Sequence, residues 1–406
     1  MTQRKFFRSW CLASLLVALG IVLFNISMDP YLIFGIPRIS GINSKKPAID
    51  SEFWLMKAYD VRRYAPKTIL LGPSPIAVGL RGQSPLWKSV YRPVYNLATP
   101  LSGPYVSYRY LQHAMAMGNI SLVVLGLQFS YFVNKDADDM FESQNIEPHL
   151  LVNRDGSRNP KFLEERVRAM AYASLSFRAL QDSGAELIGN FRGDSSDLVR
   201  GDYDWVAARE TPGADSYAAV FWSDIRITWM NRRASDHLDP KAMEDVRAIL
   251  DLCEWRGVSV IVFVNPIYVD VLENLDLAGY WPLYESWERN LVTLISQYPN
   301  RRSGAPGAFF QLWDFSGYDS YSIGSDIERW RWFADFVHYR TEVGDAIIRT
   351  FMGEPQNGFG VLLTEKTIES HLAKVREQRE LYRREHPVDA QRLRSLHALV
   401  VNSRSN

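Results

Sequence analysis

Short runs of apolar residues recur along this chain, and segments of helical periodicity separate them. The runs lie at Thr68–Leu71, 121–126, 258–264 and 309–313. They are largely continuous rather than alternating, so they predict strands that are buried on both faces. The intervening helices are predicted at 105–117, Pro240–Arg256 and 281–297, with a closing helix at 343–351. This alternation predicts an α/β fold with a parallel sheet flanked by helices.

The N-terminal segment 10–28 contains no charged residue and is long enough to cross a hydrocarbon core of about 30 Å. Arg4, Lys5 and Arg8 precede it. This charge asymmetry predicts a cytoplasmic N-terminus and a translocated remainder. A cleaved signal peptide is the alternative, although Asn25-Ile-Ser27 lacks the small-x-small pattern of a cleavage site. We therefore expect a single-pass anchor in the inner membrane with a periplasmic C-terminal domain, if the source is a Gram-negative bacterium.

The rest of the chain divides by composition. We expect the anchor at 1–28, a linker rich in Pro, Gly and Ser within 29–60, the α/β domain at 61–355 and a charged helical tail at 356–406. A polar stretch at about 135–240 interrupts the domain, with helical patches at 160–180 and a loop at Gly193-Asp-Ser-Ser196. Two interpretations of this insertion stay open: a lid or substrate-binding subdomain, and a surface elaboration with no direct role.

The tail places Leu372, Val375 and Leu381 at roughly helical spacing, and Pro387 interrupts the pattern. An amphipathic helix packed on the domain is one interpretation, and a helix that binds a partner is the other.

Composition limits the function classes. The chain has 46 Lys+Arg and 46 Asp+Glu, and this zero net charge argues against nucleic acid as the main partner. Its two cysteines, Cys11 and Cys253, form no disulfide framework or zinc-finger spacing. The sequence has no phosphate-binding Walker loop, no Gly-x-Gly-x-x-Gly after a strand and no His-Glu-x-x-His, so we expect no cofactor and no metal site. Aromatic residues make up 13% of the chain, which suits a well-filled core or a carbohydrate-binding surface.

Two short motifs suggest chemistry. Ser74 follows Gly72 and Pro73 on the turn that leaves the first predicted strand, at the sheet edge where open α/β sheets place ligands. Asp335 precedes His338 by one helical turn, a spacing that lets a carboxylate orient an imidazole. A serine hydroxyl becomes a good nucleophile when such an oriented base takes its proton. The three residues are a candidate triad, and a turn serine with a structural histidine is the alternative.

Several segments together resemble the SGNH (GDSL-type) hydrolase superfamily, in particular its bacterial membrane-anchored branch. They are Asp29-Pro-Tyr31, Ile69-Leu-Leu-Gly-Pro-Ser74, Tyr95-Asn-Leu-Ala98 with Gly103, Val123-Val-Leu-Gly-Leu127, Trp313-Asp-Phe-Ser-Gly317 and Phe333-Ala-Asp-Phe-Val-His-Tyr339. The resemblance implies a flavodoxin-like three-layer α/β/α fold with a parallel sheet, here preceded by one transmembrane helix. Members are esterases, lipases and carbohydrate O-acetyl transferases or esterases, and anchored relatives work beside membrane acyltransferases in exopolysaccharide acetylation.

The resemblance also implies roles for single residues. Ser74 would be the nucleophile, His338 the base and Asp335 its orienting acid. The backbone N–H groups of Ser74 and Gly103 would stabilise the oxyanion. The asparagine that completes the family's oxyanion hole has no direct match, and Gln128 is the nearest residue by position, with Asn265 as the second candidate.

The nucleophile turn departs from the family pattern. Pro73 and Pro75 flank the serine, and Pro75 removes a backbone N–H. We therefore carry two hypotheses: an acyl esterase or O-acyltransferase acting on an extracytoplasmic glycan, and a catalytically degenerate protein that binds a polysaccharide or a multi-pass membrane acyltransferase.

Overall fold

The computed structural model describes residues 3–100, 102–133, 145–192, 198–199, 202–203, 237–299, 307–323, 331–354 and 358–403. The predicted loop at Gly193-Asp-Ser-Ser196 lies outside these residues. The first helices are α1 (Gln3–Met28), α2 (Ile49–Tyr64), α3 (Ser74–Gly79), α4 (Pro104–Met115), α5 (Phe162–Leu175) and α6 (Phe177–Arg192). The later helices are α7 (Pro240–Arg256), α8 (Val269–Leu277), α9 (Trp281–Ile295), α10 (Thr341–Phe351), α11 (Ile368–Glu385) and α12 (Pro387–Ser403).

A six-stranded sheet forms the centre of the fold, with the order β2-β1-β3-β6-β7-β8. Its strands are β1 (Thr68–Leu71), β2 (Val94–Asn96), β3 (Leu122–Leu127), β6 (Ser259–Val264), β7 (Phe310–Asp314) and β8 (Val361–Leu363). Two short strands, β4 (Leu198–Val199) and β5 (Asp202–Tyr203), form a separate antiparallel pair. All neighbours pair in parallel except β7 and β8. Every residue of β1 and β3 is buried, as expected for central strands covered by helices on both faces. The mixed α/β fold with a mostly parallel sheet is therefore confirmed.

Helix α7 shows how closely local sequence sets an element. The Asp239 side chain accepts a hydrogen bond from the Lys241 N–H at 3.0 Å and caps the first turn. Pro240 occupies the first helical position, where no intrahelical N–H bond is lost. Gly257 ends the helix in the left-handed conformation at φ 68°. The helix has the predicted bounds, and β6 follows it directly.

Three elements differ from the expectation. Helix α2 begins within the predicted linker 29–60, and it packs against α4. Strands β2 and β8 were not predicted, because each has three residues and is too short to show a periodicity. Because β8 runs antiparallel to β7, one edge of the sheet departs from the all-parallel prediction.

The ends of the chain carry long helices. Among the described residues, α1 is the one helix long and apolar enough to cross a membrane. Helices α5 and α6, which lie inside the predicted insertion, pack against it. At the other end, α11 buries Leu372 and Val375 as predicted, whereas Tyr382 rather than Leu381 completes the buried face. The helix is interrupted before Pro387, where α12 begins.

Candidate active site

A sharp turn at the end of β1 presents Ser74. Gly72 has a φ of +131°, and a Cβ there would lie 2.5 Å from the Gly126 carbonyl oxygen of the neighbouring strand β3. Only glycine fits this combination of backbone angle and close approach. Ser74 then opens α3, so its N–H is one of the donors that have no acceptor within the helix. Ser74 is half-buried and lies just beyond the carboxyl end of β1.

Asp335 and His338 lie in a tight loop rather than on the helical turn that the spacing predicted. An antiparallel bridge between Phe333 and Tyr339 closes the loop, and the Ala334 N–H donates to the His338 carbonyl at 2.8 Å. Inside it, Asp335 Oδ1 accepts from the backbone N–H of Val337 at 2.9 Å and of His338 at 2.8 Å. The aspartate thus uses one oxygen to hold the loop and keeps the other for the imidazole.

The structure brings the three predicted residues together. Ser74 Oγ lies 2.8 Å from His338 Nε2, across 264 residues of sequence. His338 Nδ1 lies 2.7 Å from Asp335 Oδ2. Burial raises the pKa of Asp335, but the attraction of His338 and the hydrogen bonds that the carboxylate accepts outweigh it and hold the pKa below its usual range. A carboxylate that stays ionised keeps Nδ1 protonated and leaves Nε2 free to accept the serine proton.

Close packing between α3 and α10 sets this distance. A Cβ on Gly79, at the end of α3, would lie 2.1 Å from the ring of Tyr339, the residue after His338. A Cβ on Gly344 of α10 would lie 1.9 Å from the Gly79 carbonyl oxygen. The two glycines therefore let the loop 333–339, which carries His338, approach α3, which begins at Ser74. No sequence motif predicts either glycine.

Asn96, at the end of β2, bonds to the backbone of α3 and of the residue that follows it. Its Nδ2 donates to the carbonyl oxygens of Ile76 at 2.9 Å and Leu80 at 2.7 Å, and its Oδ1 accepts from the Ala98 N–H at 3.1 Å. One buried amide therefore links α3 to the loop that leads to Gly103.

Lys57 holds the same loop from α2. Its side chain is fully buried, and its Nζ donates to the Ala98 carbonyl oxygen and lies 4.5 Å from the centre of the Phe53 ring. Burial lowers the pKa of Lys57 well below its ordinary value, against the pull of Asp202 and Asp60. The Thr99 N–H then donates to the Gly72 carbonyl at 3.1 Å, which joins the loop to the nucleophile turn. In the sequence, this lysine stands out because it interrupts the apolar run 53–58.

The two candidate side-chain oxyanion donors line one small apolar pocket. Its walls are Pro75, Gln128, Phe129, Asn265, Pro266, Ile267, Val271, Phe336 and Val337. Asn265 is held in place, because its Nδ2 donates to the Leu127 carbonyl at 2.9 Å and its Oδ1 accepts from Tyr339 at 3.1 Å. The Gln128 amide forms no hydrogen bond with any described residue, so it is the freer donor. Gly103 is buried at the N-cap of α4, next to the loop joined to Gly72.

A second polar cluster joins α9, β7 and α11. Glu288, Asp314 and His371 are buried, and their ligand-type atoms lie within 4.8 Å of one another. His371 Nε2 lies 2.6 Å from Asp314 Oδ2. These groups could together hold one divalent cation of the zinc type. These residues lie far apart in the sequence, so no local spacing pattern predicts the cluster.

No family model and no curated protein matches this sequence. The site combines a half-buried serine, a histidine that can take its proton, a buried carboxylate that orients the histidine and an apolar pocket beside the serine.

Proposed function

We propose that this chain is a membrane-anchored SGNH-like acyl esterase or O-acyltransferase that acts on an extracytoplasmic glycan. The observation that carries the proposal is the continuous hydrogen-bond chain from Ser74 through His338 to Asp335, at 2.8 and 2.7 Å. The order of the five parallel strands supports the proposal. If these strands are numbered along the chain, they lie in the flavodoxin-like order 2-1-3-4-5. In such sheets the ligand site lies where the strand order reverses. Ser74 leaves β1 at that point.

In this mechanism His338 Nε2 removes the proton of Ser74 Oγ while the oxygen attacks the acyl carbonyl. The ionised Asp335 stabilises the imidazolium that forms. His338 then gives the proton to the departing alkoxide, and the acyl group remains on Ser74. Water or a sugar hydroxyl attacks this ester, again with His338 as the base, and releases the free acid or the acylated sugar.

The oxyanion of both tetrahedral intermediates needs donors beside Ser74. We assign the Ser74 N–H at the start of α3, the Gly103 N–H and the Gln128 amide to this role. Each such donor is worth about 3 kcal/mol in well-studied hydrolases. Because Pro75 offers no N–H, the side-chain amide matters more here than it would after another residue.

The pocket supports a short acyl group. It is apolar, it is built partly from Pro75, Phe336 and Val337 next to the triad residues in sequence, and it has room for about one water-sized sphere. An acetyl methyl group suits this space, whereas a long acyl chain would have to displace the wall.

The test is active-site labelling of the purified full chain in detergent micelles. We expect a fluorophosphonate to label the wild type and an aryl acetate to be hydrolysed, with both signals lost in Ser74→Ala. Ser84→Ala, a change in a buried serine outside the triad, should keep both.

The second candidate is a non-catalytic protein that binds a polysaccharide or a membrane acyltransferase. The observation that favours it is the pair of prolines around Ser74. A folded wild type that shows neither labelling nor turnover would favour this candidate, and retention of a glycan by both wild type and Ser74→Ala would support it further.

A further inference from the structure

Helix α6 buries three polar residues and exposes four large apolar ones, beside the exposed Arg178, Gln181 and Arg192. The positions that it buries are Ala179, Ser183, Glu186 and Asn190. Its exposed side carries Phe177 at 72%, Leu187 at 37%, Ile188 at 54% and Phe191 at 87% exposure. A surface helix in water buries its apolar stripe and exposes its polar face. An exposed side with four large apolar residues marks a surface that contacts another protein or lipid.

Specific polar contacts fix α6 in this orientation. Glu186 accepts from Lys46 Nζ at 2.7 Å, and the same Nζ donates to the Met28 carbonyl at the end of α1 at 2.6 Å. Asn190 Oδ1 accepts from the Lys45 N–H at 2.8 Å, and its Nδ2 donates to the Lys45 carbonyl at 2.8 Å. A rotation that buried the apolar stripe would break all of these bonds, so the outward apolar face is part of the native fold.

Helix α5 packs against both α1 and α6 and also has exposed apolar side chains. It exposes Leu163, Val167 and Leu175, and the Ser174 carbonyl accepts a hydrogen bond from Asn25 Nδ2 of α1 at 3.0 Å. The ring of Tyr31, just after α1, stacks on Tyr172. The junction between α5 and α6 therefore lies beside the last turns of α1.

The depth of that junction follows from the length of α1. A bilayer core of about 30 Å needs about 20 helical residues. The uncharged segment 10–28 supplies about that number, so Asn25 must lie within about 5 Å of the outer end of the span, at 1.5 Å per residue. A hairpin bonded to Asn25 consequently lies at the boundary between acyl chains and headgroups. Amphipathic helices bind at this level with their apolar face toward the lipid.

We propose that the α5–α6 hairpin inserts its apolar face into the outer interface of the lipid bilayer, beside the anchor helix. The inference depends on α1 spanning the membrane and is independent of the catalytic proposal. With α1 and the hairpin as two attachment points, the domain has a fixed orientation on the membrane instead of swinging on a single tether. The site would then meet its substrate at a set height above the lipid.

Fluorescence quenching of the full chain in vesicles of phosphatidylethanolamine and phosphatidylglycerol tests this. The natural cysteines are removed by Cys11→Ser and Cys253→Ala, and a polarity-sensitive dye is attached at Phe177→Cys or Ile188→Cys. Leu16→Cys on α1, where Leu16 is 59% exposed, reports the bilayer. Val388→Cys, 79% exposed at the start of α12, reports water. Thermal unfolding of each labelled variant confirms that it is folded.

We expect doxyl-labelled lipid to quench the dye at Phe177 and Ile188 as it does at Leu16, and aqueous iodide to quench only the dye at Val388. Iodide quenching at Phe177 and Ile188 would overturn the proposal. Protection from both quenchers would also overturn it, because another protein segment would then cover the face. If Leu16 itself escapes lipid quenching, the anchor is wrong and the hairpin proposal fails with it.

Discussion

The sheet edge that carries Ser74, Asp335 and His338, here called the candidate catalytic edge, and the α5–α6 hairpin pack their polar and apolar residues in opposite ways. At the candidate catalytic edge, the polar Asp335 is buried with both oxygens bonded, apolar Phe333 and Tyr339 fill the core, and the nucleophile is left accessible. At the hairpin, polar Glu186 is bonded inward and the apolar Phe191 faces out. The first arrangement is the usual one in water, whereas the second suits the apolar medium that we propose for the hairpin.

The two regions also differ in what holds them. The triad depends on contacts between distant parts of the chain, made possible by small residues where α3 and α10 meet. The hairpin depends on polar bonds to the segment that directly follows α1. If both proposals hold, damage to the candidate catalytic edge should appear first in the chemistry, and damage to the hairpin first in the orientation of the domain on the membrane.

The largest expected effect at the candidate catalytic edge is that of His338→Ala. Without the base, Ser74 keeps its proton, and kcat for an aryl acetate should fall by about 1,000-fold or more. Turnover by the full chain in detergent measures this, and His386→Ala in the tail is the matched control. Turnover close to that of the wild type in His338→Ala would exclude the triad mechanism.

A smaller effect separates the two amides in the pocket. Gln128→Ala should lower kcat by about 100-fold with little change in thermal stability, because the amide acts on the transition state and bonds to no described residue. Asn265→Ala should instead lower the unfolding temperature, because it removes bonds to β3 and Tyr339. The reverse result would move the oxyanion role to Asn265, and an unchanged kcat in both variants would show that neither side-chain amide stabilises the oxyanion.

Much of the fold follows from local sequence. The caps of α7 and the apolar runs of the central strands act within a few residues, so their positions can be predicted. The triad residues were found for the same reason, since Gly72-Pro73-Ser74 and Asp335-x-x-His338 are short motifs. What the motifs could not give is the shape of the loop 333–339, because the bridge between Phe333 and Tyr339 overrides the helical spacing.

The missed residues act over long distances. Lys57 meets Ala98 across 41 residues, and no local pattern names that partner. The outward apolar face of α6 could be seen as a stripe in the sequence, but a stripe does not say which side is buried. That depends on Lys46 and Met28, from another part of the chain.

The mildest change, Lys57→Met, tests whether a buried amine serves the site rather than the fold. Methionine fills a similar volume but cannot bond the Ala98 carbonyl, so the loop leading to Gly103 should loosen and kcat should fall by about tenfold. Folding should not suffer, because burial lowers the pKa of Lys57 well below its ordinary value. A lysine whose pKa is lower in the folded than in the unfolded state reduces the free energy of unfolding. The full reduction is present at any pH below the folded pKa, and it disappears as the pH rises toward the unfolded pKa of about 10.4.

At neutral pH the variant should therefore unfold at a temperature equal to or above that of the wild type, and the difference should shrink as the pH approaches 10.4. Thermal unfolding and aryl acetate turnover over this pH range measure both quantities, and Lys67→Met at an exposed site is the control. A variant that loses stability and activity in parallel would make Lys57 a purely structural residue. A lower kcat in a protein of equal or greater stability would show that the loop position, not the core, depends on the amine.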